Sequence, residues 1–256
     1  MTPFKIFLGI DQTGATDQKG KPKKLNCTLI DAQNFDEGHD LQVYPGLHLE
    51  HLNTSAIKDL IKIHIKDFKN QPVLICIDTA FGLPLELNVH YKKIFEKAVH
   101  FQFNEKPFGA LTAYQFFNSF LKSDEIVKRK VDQITKANSV FNLTPFQKNI
   151  GCGSFRSIKE LALNLNDFDL WPFELTKKQF VMAEGYPSYN WKKLLKIKNR
   201  SLIELKKKLP TLNFENVDQA DSFILALGAL KYQKQIFQKS PAIAKKEGWI
   251  LGVPYE

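Results

Sequence analysis

The stretch Phe4-Lys-Ile-Phe-Leu-Gly-Ile-Asp11 decides the fold, because it is a short apolar run that ends in an acid. Such a run is typical of a buried β-strand. The stretch Pro72-Val-Leu-Ile-Cys-Ile-Asp78 repeats the pattern. Fully apolar strands of this kind belong to sheets that helices cover on both faces. The two stretches therefore predict an α/β fold with an aspartate at the end of each strand.

The elements around these two strands predict a mixed sheet. Further strands are predicted at 26–32 and 40–44, a helix from Thr54 to Phe68, and a later strand at 179–183 that runs into Glu184. The helix prediction rests on apolar residues at helical spacing. Between 85 and 170 the pattern is mostly helical, which predicts a large helical insertion within a single domain spanning 1–256. One continuous helical stretch is predicted at 191–209, and a long last helix from Val217.

Composition describes an ordinary globular chain of 256 residues, with 43% hydrophobic and 25% charged residues and a net charge of +9. Three of the 36 basic residues are arginines, Arg129, Arg156 and Arg200, and the rest are lysines. Lysine is a point charge that can lie near phosphates without reading bases. A basic chain permits a nucleic-acid partner, but lysine also serves as a generic solvated surface.

Several classes of protein are not expected from this sequence. Cys27, Cys76 and Cys152 are far apart and form no CxxC pair, so neither a disulfide-linked partner nor a thiolate zinc site is predicted. No apolar run approaches the roughly 20 residues of a membrane helix, and the N-terminal stretch lacks the pattern of a signal peptide. A cytoplasmic protein without a membrane partner is expected, while its oligomeric state stays open.

A set of five acids marks a candidate functional site. Asp11, Asp78 and Glu184 each end an apolar strand, while Asp218 and Asp221 lie three apart on the first turn of a predicted helix. Clustered carboxylates repel one another, and a bound divalent cation relieves that repulsion. All-oxygen sites suit Mg²⁺ or Mn²⁺. Each acid also has a purely structural interpretation, such as a helix cap for Asp218 or a turn residue for Asp11.

The order of these elements resembles the ribonuclease H-like superfamily, Holliday-junction resolvases included. The chain is similar in particular to the predicted ribonuclease-H-like nuclease family known as domain of unknown function four-twenty-nine. The similarity spans nearly the whole chain, and it rests on the ordered set rather than on any one segment. The segments are Gly9-Ile-Asp11, Ile77-Asp78-Thr-Ala-Phe-Gly-Leu-Pro84, Arg129-Lys-Val-Asp132, Trp171-Pro-Phe-Glu174, Glu184-Gly-Tyr-Pro187, Asp218-Gln-Ala-Asp221 and Glu247-Gly-Trp-Ile250.

The resemblance implies a role for each matching residue. Asp11 and Asp78 are the implied central metal ligands, with Asp221 and Asp218 supplying ligands from the helix. Glu184 is implied to lie beside them, which makes Asp11, Asp78, Glu184 and Asp221 the expected catalytic residues. Arg129, from the helical insertion, is expected to reach a phosphate.

The leading functional expectation is a nuclease that hydrolyses phosphodiester bonds with carboxylate-bound Mg²⁺ or Mn²⁺. The basic residues Lys192, Lys193, Lys196 and Lys198 are expected to hold the backbone of DNA or RNA, unless they form only a solvated helix face. Two alternatives stay open. Gly9-Ile-Asp-Gln-Thr-Gly14 also resembles the first phosphate loop of actin-like and sugar-kinase-like phosphotransferases, and a non-catalytic nucleic-acid-binding module could retain the same fold.

Overall fold

The computed structural model describes residues 4–12, 21–33, 41–121, 127–142 and 150–255. Within these ranges six strands form one mixed sheet in the order β3-β2-β1-β4-β6-β5. The first three strands are antiparallel neighbours, whereas β4, β6 and β5 continue from β1 in parallel. The strands are β1 (Ile6–Asp11), β2 (Leu25–Asp31), β3 (Gln42–Leu49), β4 (Val73–Ile77), β5 (Phe168–Trp171) and β6 (Phe180–Glu184).

Helices cover both faces of this sheet, so the predicted α/β class is confirmed. The helices are α1 (Thr54–His64), α2 (Tyr91–His100), α3 (Ala110–Asn118), α4 (Lys130–Thr135), α5 (Ile150–Ala162), α6 (Pro187–Leu195), α7 (Leu202–Lys208), α8 (Val217–Tyr232) and α9 (Ala242–Glu247).

Strand β1 shows why the central strands are apolar throughout. Its alternate residues Ile6, Leu8 and Ile10 belong to the hydrophobic core shared with α1, α2, α3 and α5. Phe7 belongs to a second core on the opposite face, shared with α6, α8 and α9. Because successive side chains of a strand point to opposite faces, both sets must be apolar when both faces are covered.

Helices α2, α3 and α5 of the segment predicted as a helical insertion join α1 in one of these two layers, whereas Val131 of α4 belongs to the other core. Phe116 of α3 packs against Phe101 and Phe155 at centroid distances of 5.2 and 4.8 Å. These side chains share a single core with sheet residues such as Ile75. The segment also contains the start of β5, which the sequence analysis assigned to the helical region. Residues 122–126 of this segment lie outside the described residues, and α4 follows them at Lys130–Thr135.

Gly9 fixes how helix α8 crosses the sheet. A Cβ atom at this position would lie 1.9 Å from the carbonyl oxygen of Ser222 and 2.4 Å from the backbone nitrogen of Ala226. Only glycine allows two backbones to approach so closely. The close approach brings the first turn of α8 over the end of β1, where Asp11 lies.

The helical stretch predicted at 191–209 is wrong as a single helix, because the chain breaks between α6 and α7. Lys196 ends α6 in the left-handed conformation with φ of 57°. Ile197 is fully buried and anchors the connection, and the side chain of Ser201 caps α7 by accepting from the backbone N–H of Glu204. The break leaves Arg200 in a short loop rather than on a helix.

Two further features concern membranes and thiols. Among the described residues, no helix combines the length and the apolar character needed to cross a membrane. The three cysteines are buried thiols.

Candidate acidic site

A cavity of about 400 Å³ lies at the carboxyl end of the parallel strands. It is bounded by the ends of β1, β4 and β6, by the first turns of α6 and α8, and by the start of α5. Ligands of open α/β sheets bind at this edge. The acids that line it are Asp11, Asp78, Asp132, Glu184, Asp218 and Asp221.

Sheet register brings the first two aspartates together. β1 and β4 are parallel neighbours with Ile10 opposite Ile77. The ladder continues past the strand end, where the backbone N–H of Asp78 donates to the carbonyl oxygen of Ile10 at 3.2 Å. Asp11 and Asp78 therefore leave adjacent strands at the same level, as the sequence predicts.

Asp11 and Asp78 carry carboxylates in surroundings that disfavour negative charge. Asp11 is only 5% exposed, and its pKa is raised well above the usual value by burial and then by Asp78 and Asp221. Burial, followed by repulsion from Asp221 and Glu184, raises the pKa of Asp78 to about 8. Within the described ranges, neither carboxylate makes a hydrogen bond or an ion pair with another residue. When ionised, the two carboxylates therefore lack a paired positive charge that would compensate their burial and mutual repulsion.

Asp221 is buried in the same cavity, but both of its oxygens have partners. The indole N–H of Trp191 donates to Oδ1 at 2.6 Å, and the guanidinium of Arg200 donates to Oδ2 at 2.7 Å. Burial raises the pKa of Asp221, and these two donors offset part of that increase. The carboxylate is therefore held in place by an aromatic donor and neutralised by a partly exposed cation.

Asp218 lies one helical turn before Asp221 and is exposed at the cavity. It does not cap α8, because the side chain of Asn216 accepts from the backbone N–H of Gln219 in that role. The capping interpretation of Asp218 is thus not needed to explain the helix start. Its carboxylate makes no hydrogen bond with any residue that the structure describes.

Glu184 borders the cavity, but its carboxylate lies in a buried ion-pair network. Arg129 donates to both carboxylate oxygens of Glu184 at 2.6 Å, and also to Asp132 at 2.8 and 2.9 Å. All three residues are only 3% exposed. Burial raises the pKa of Glu184, while Arg129 acts in the opposite direction.

This network corrects the expectation for Arg129. Its guanidinium is buried and neutralised by two carboxylates, so it is not free to bind the phosphate of a nucleic acid. Glu184 was expected to be a catalytic residue. In the structure both of its carboxylate oxygens accept hydrogen bonds from Arg129, and its negative charge raises the pKa of Asp78. Its position at the strand end was predictable, whereas its partner, 55 residues earlier, was not.

The four lysines expected to bind nucleic acid are exposed beside the site. Lys192 and Lys193 lie on α6, and Lys196 and Lys198 lie at its end and in the following loop. None of them is among the residues that line the cavity. They form an exposed basic surface. Arg200, which follows Lys198 in the same loop, does line the cavity.

Three residues at the site were not singled out by the sequence analysis. Arg200 and Trp191 both contact Asp221, and Gln12 follows Asp11 directly. The available signal for Arg200 was the rarity of arginine in a lysine-rich chain. All three arginines form ion pairs with carboxylates, and Arg129 does so bidentately, a geometry to which lysine is poorly suited.

Gln12 is 6% exposed and connects two loops of the site. Its Nε2 donates to the carbonyl oxygen of Asp78 at 2.7 Å, while its Oε1 has no partner among the described residues. The side chain packs on Gly153, where a Cβ would lie 1.5 Å from that oxygen. Gly151 and Gly153 both lie in the first turn of α5. The missing side chain of Gly153 leaves the space that the Gln12 amide occupies.

The residues of the cavity fit a divalent cation in their chemistry. They supply carboxylate oxygens that repel one another and a buried amide oxygen without a partner, which is the donor set that Mg²⁺ and Mn²⁺ prefer. As the side chains are placed, no group of three or more His, Cys, Asp or Glu residues in the described ranges is arranged to hold a metal ion. A cation would therefore require the side chains to adjust, with Arg200 at Asp221 the nearest obstacle.

Comparison with known proteins gives no relative for this chain. No protein-family model matches it, no curated protein is significantly similar in sequence, and no solved structure is significantly similar in fold. The family is therefore not shown by these comparisons.

Proposed function

We propose that this protein is a nuclease of the ribonuclease H-like type that hydrolyses phosphodiester bonds with Mg²⁺ or Mn²⁺. The observation that carries the proposal is the convergence of Asp11, Asp78 and Asp221 on one cavity from two parallel strands and a late helix. The sheet order, with three antiparallel strands followed by parallel ones, agrees with the proposed type.

The motifs behind the family resemblance also support the proposal. Six of the seven segments that resemble the family of domain of unknown function four-twenty-nine contribute residues to the cavity lining. Only the segment 171–174 does not. Segments that lie far apart in the chain but share one cavity are expected when they carry a common chemistry.

The proposal gives each residue of the site a part. Asp11 and Asp78 would hold the cation between the ends of β1 and β4, with Asp221 and Asp218 adding oxygens from α8. Bound metal ions supply an activated water and stabilise the leaving oxygen of a phosphodiester.

Other residues act on these ligands. The indole of Trp191 orients Asp221 by donating to its Oδ1. Glu184 acts through its charge beside Asp78 while it pairs with Arg129. The lysine surface on α6 and the following loop would attract the nucleic-acid backbone.

The test is cleavage of labelled single-stranded, duplex and branched DNA and of RNA with Mg²⁺, Mn²⁺ or EDTA. We expect metal-dependent cleavage that falls by roughly 100-fold or more in Asp11→Asn and Asp78→Asn, because the metal carries most of the transition-state stabilisation. Asp67→Asn is the matched control, since Asp67 is exposed and lies outside the cavity lining. Cleavage that survives in both site variants would contradict the proposal.

The same experiment separates the alternatives. ATP hydrolysis without cleavage would favour the phosphotransferase, and nucleic-acid binding without either activity would favour a binding module. The structure weakens the phosphotransferase alternative, because the close packing of α8 already explains why residue 9 of the phosphate-loop-like stretch is a glycine. Thr13 and Gly14 of the resembling loop lie outside the described residues.

A further inference from the structure

Arg200 occupies one of the carboxylate oxygens that the proposed site needs. Its Nη1 lies 2.7 Å from Oδ2 of Asp221, while Trp191 holds the other oxygen. Asp221 is 1% exposed, whereas the side chain of Arg200 is 50% exposed. The pair is thus asymmetric, with a fixed, buried carboxylate and a cation that reaches it from the solvent side.

The loop that carries Arg200 leaves its side chain free to move. Ile197 is buried and fixes the start of the loop, and Ser201 begins α7, so the backbone of Arg200 is held at both ends. Its guanidinium makes one hydrogen bond in the described part of the chain, the one to Asp221. Water can solvate the guanidinium when it leaves, but the buried Asp221 carboxylate then needs another positive charge in its place.

A divalent cation and this guanidinium compete for Oδ2 of Asp221, because two positive charges at one oxygen repel each other. The cavity holds Asp11 and Asp78 as well, and both interact electrostatically with Arg200. When a cation binds these carboxylates, the demand for a second positive charge at Asp221 falls and repulsion between the two cations rises. The guanidinium would then be released within a cavity where a phosphate has to bind.

We propose that Arg200 neutralises Asp221 when no metal is bound, competes with the divalent cation for its Oδ2, and binds the substrate phosphate once the cation displaces it. The proposal rests on the proposed function and adds a phosphate-binding residue to it. Arginine suits both states, because its planar fork pairs equally well with carboxylate and phosphate oxygens. The exchange needs only a change in side-chain conformation.

The test measures metal and nucleic-acid binding separately in Arg200→Ala and Arg200→Lys. Calorimetric titration of Mn²⁺ into the full chain without nucleic acid should show affinity about tenfold higher in Arg200→Ala, because a competing charge is removed. Binding of a single-stranded oligonucleotide in the presence of Ca²⁺ should weaken, with the slope of log K against log salt reduced by about 0.7. Arg200→Lys should lie between the wild type and Arg200→Ala in both measurements.

Lys62→Ala is the control, because Lys62 is an exposed basic residue on α1 that does not line the cavity and is not among the lysines expected to bind nucleic acid. It should leave Mn²⁺ affinity unchanged. An Arg200→Ala variant with unchanged or weaker Mn²⁺ affinity, or with an unchanged salt slope, would overturn the role of Arg200 while leaving the nuclease proposal standing. Absence of Mn²⁺ binding in both wild type and Arg200→Ala would overturn the two proposals together.

Discussion

Asp78 lies in surroundings that disfavour its ionised carboxylate, and this makes the stability of the folded protein depend on pH. Burial, Asp221 and Glu184 raise its pKa to about 8, and burial together with Asp78 raises the pKa of Asp11. An unfolded aspartate releases its proton near pH 4. Between about pH 4 and pH 8 the folded protein therefore binds more protons than the unfolded chain, and its stability falls as the pH rises through that window.

Denaturant unfolding in EDTA at a series of pH values between 4 and 9 checks this prediction. The free energy of unfolding should decrease toward pH 8, and it should decrease less steeply in Asp78→Asn. That variant should also be more stable than the wild type at pH 8, by at least about 1 kcal/mol. A stability that stays flat or rises across this window would show that the two carboxylates are not strained in the folded protein.

At the residue scale the sequence predicted where the acids lie better than what they contact. A carboxylate that follows an apolar strand must lie at the edge of the sheet, so the positions of Asp11 and Asp78 followed from the pattern. The partners of Glu184 and Asp221 did not follow, because Arg129 and Arg200 reach them through tertiary packing. The rarity of arginine marks these residues in the sequence, but no local pattern shows which carboxylates they pair with.

Contact between α8 and β1 at Gly9 sets the geometry of the site at the scale of elements. Gly9→Ala should destabilise the protein by about 1–3 kcal/mol or more, because the added Cβ meets backbone atoms of Ser222 and Ala226 that cannot turn away. It should also weaken Mn²⁺ binding, since α8 carries Asp218 and Asp221. Chemical unfolding and calorimetric titration measure the two effects.

Lys62→Ala on the exposed side of α1 is the control for Gly9→Ala and should change neither quantity. Substituting Ala226 by glycine as well should not rescue Gly9→Ala, because the closest contacts are with backbone atoms rather than with the Ala226 side chain. Wild-type stability in Gly9→Ala would contradict the close packing of α8 on β1.

Arg129 ties the start of α4 to the end of β6. Arg129→Met should cost about 3–5 kcal/mol of stability, because it leaves Asp132 and Glu184 buried without a compensating charge. Combining it with Asp132→Asn and Glu184→Gln should recover most of that loss. Unfolding curves of the single and triple variants test this, and a single variant as stable as the wild type would contradict the buried ion pairs of Arg129.

Sequence patterns predicted the existence of most elements but not all of their boundaries. The five strands expected from alternation and apolar runs are present in order, whereas β5 was missed because it has four residues and lies next to a helical region. The break between α6 and α7 was missed because lysine-rich helical propensity continues across it. Tertiary anchoring of Ile197 overrides that propensity and places Arg200 at the cavity.

For the whole molecule, the exposed lysines beside the site should govern affinity for nucleic acid. Replacing Lys192, Lys193, Lys196 and Lys198 by alanine should weaken oligonucleotide binding at low salt and reduce the salt slope by about 0.7–0.9 for each lost phosphate contact. Fluorescence anisotropy across a salt series measures both. The matched control replaces the exposed Lys62, Lys66, Lys69 and Lys93, which belong to elements on the other face of the sheet or to the adjoining loop.

Equal effects of the two lysine sets would mean that nucleic acid binds by net charge alone.

The sequence predicted the overall charge and the convergence of distant acids, because parallel strands end at one edge of a sheet. It did not predict that an arginine would neutralise one of those acids. That depends on a loop whose position is set by the packing of α6, α7 and α8 together.

The central claim is that Asp11, Asp78 and Asp221 form a divalent-cation site. A crystal grown with Mn²⁺, measured at the manganese absorption edge, tests it most directly. We predict an anomalous peak in the cavity, bonded at roughly 2 Å to oxygens of Asp11 and Asp78, with Arg200 moved away from Asp221. A cavity without manganese at a saturating concentration, with Arg200 still paired to Asp221, would contradict the account.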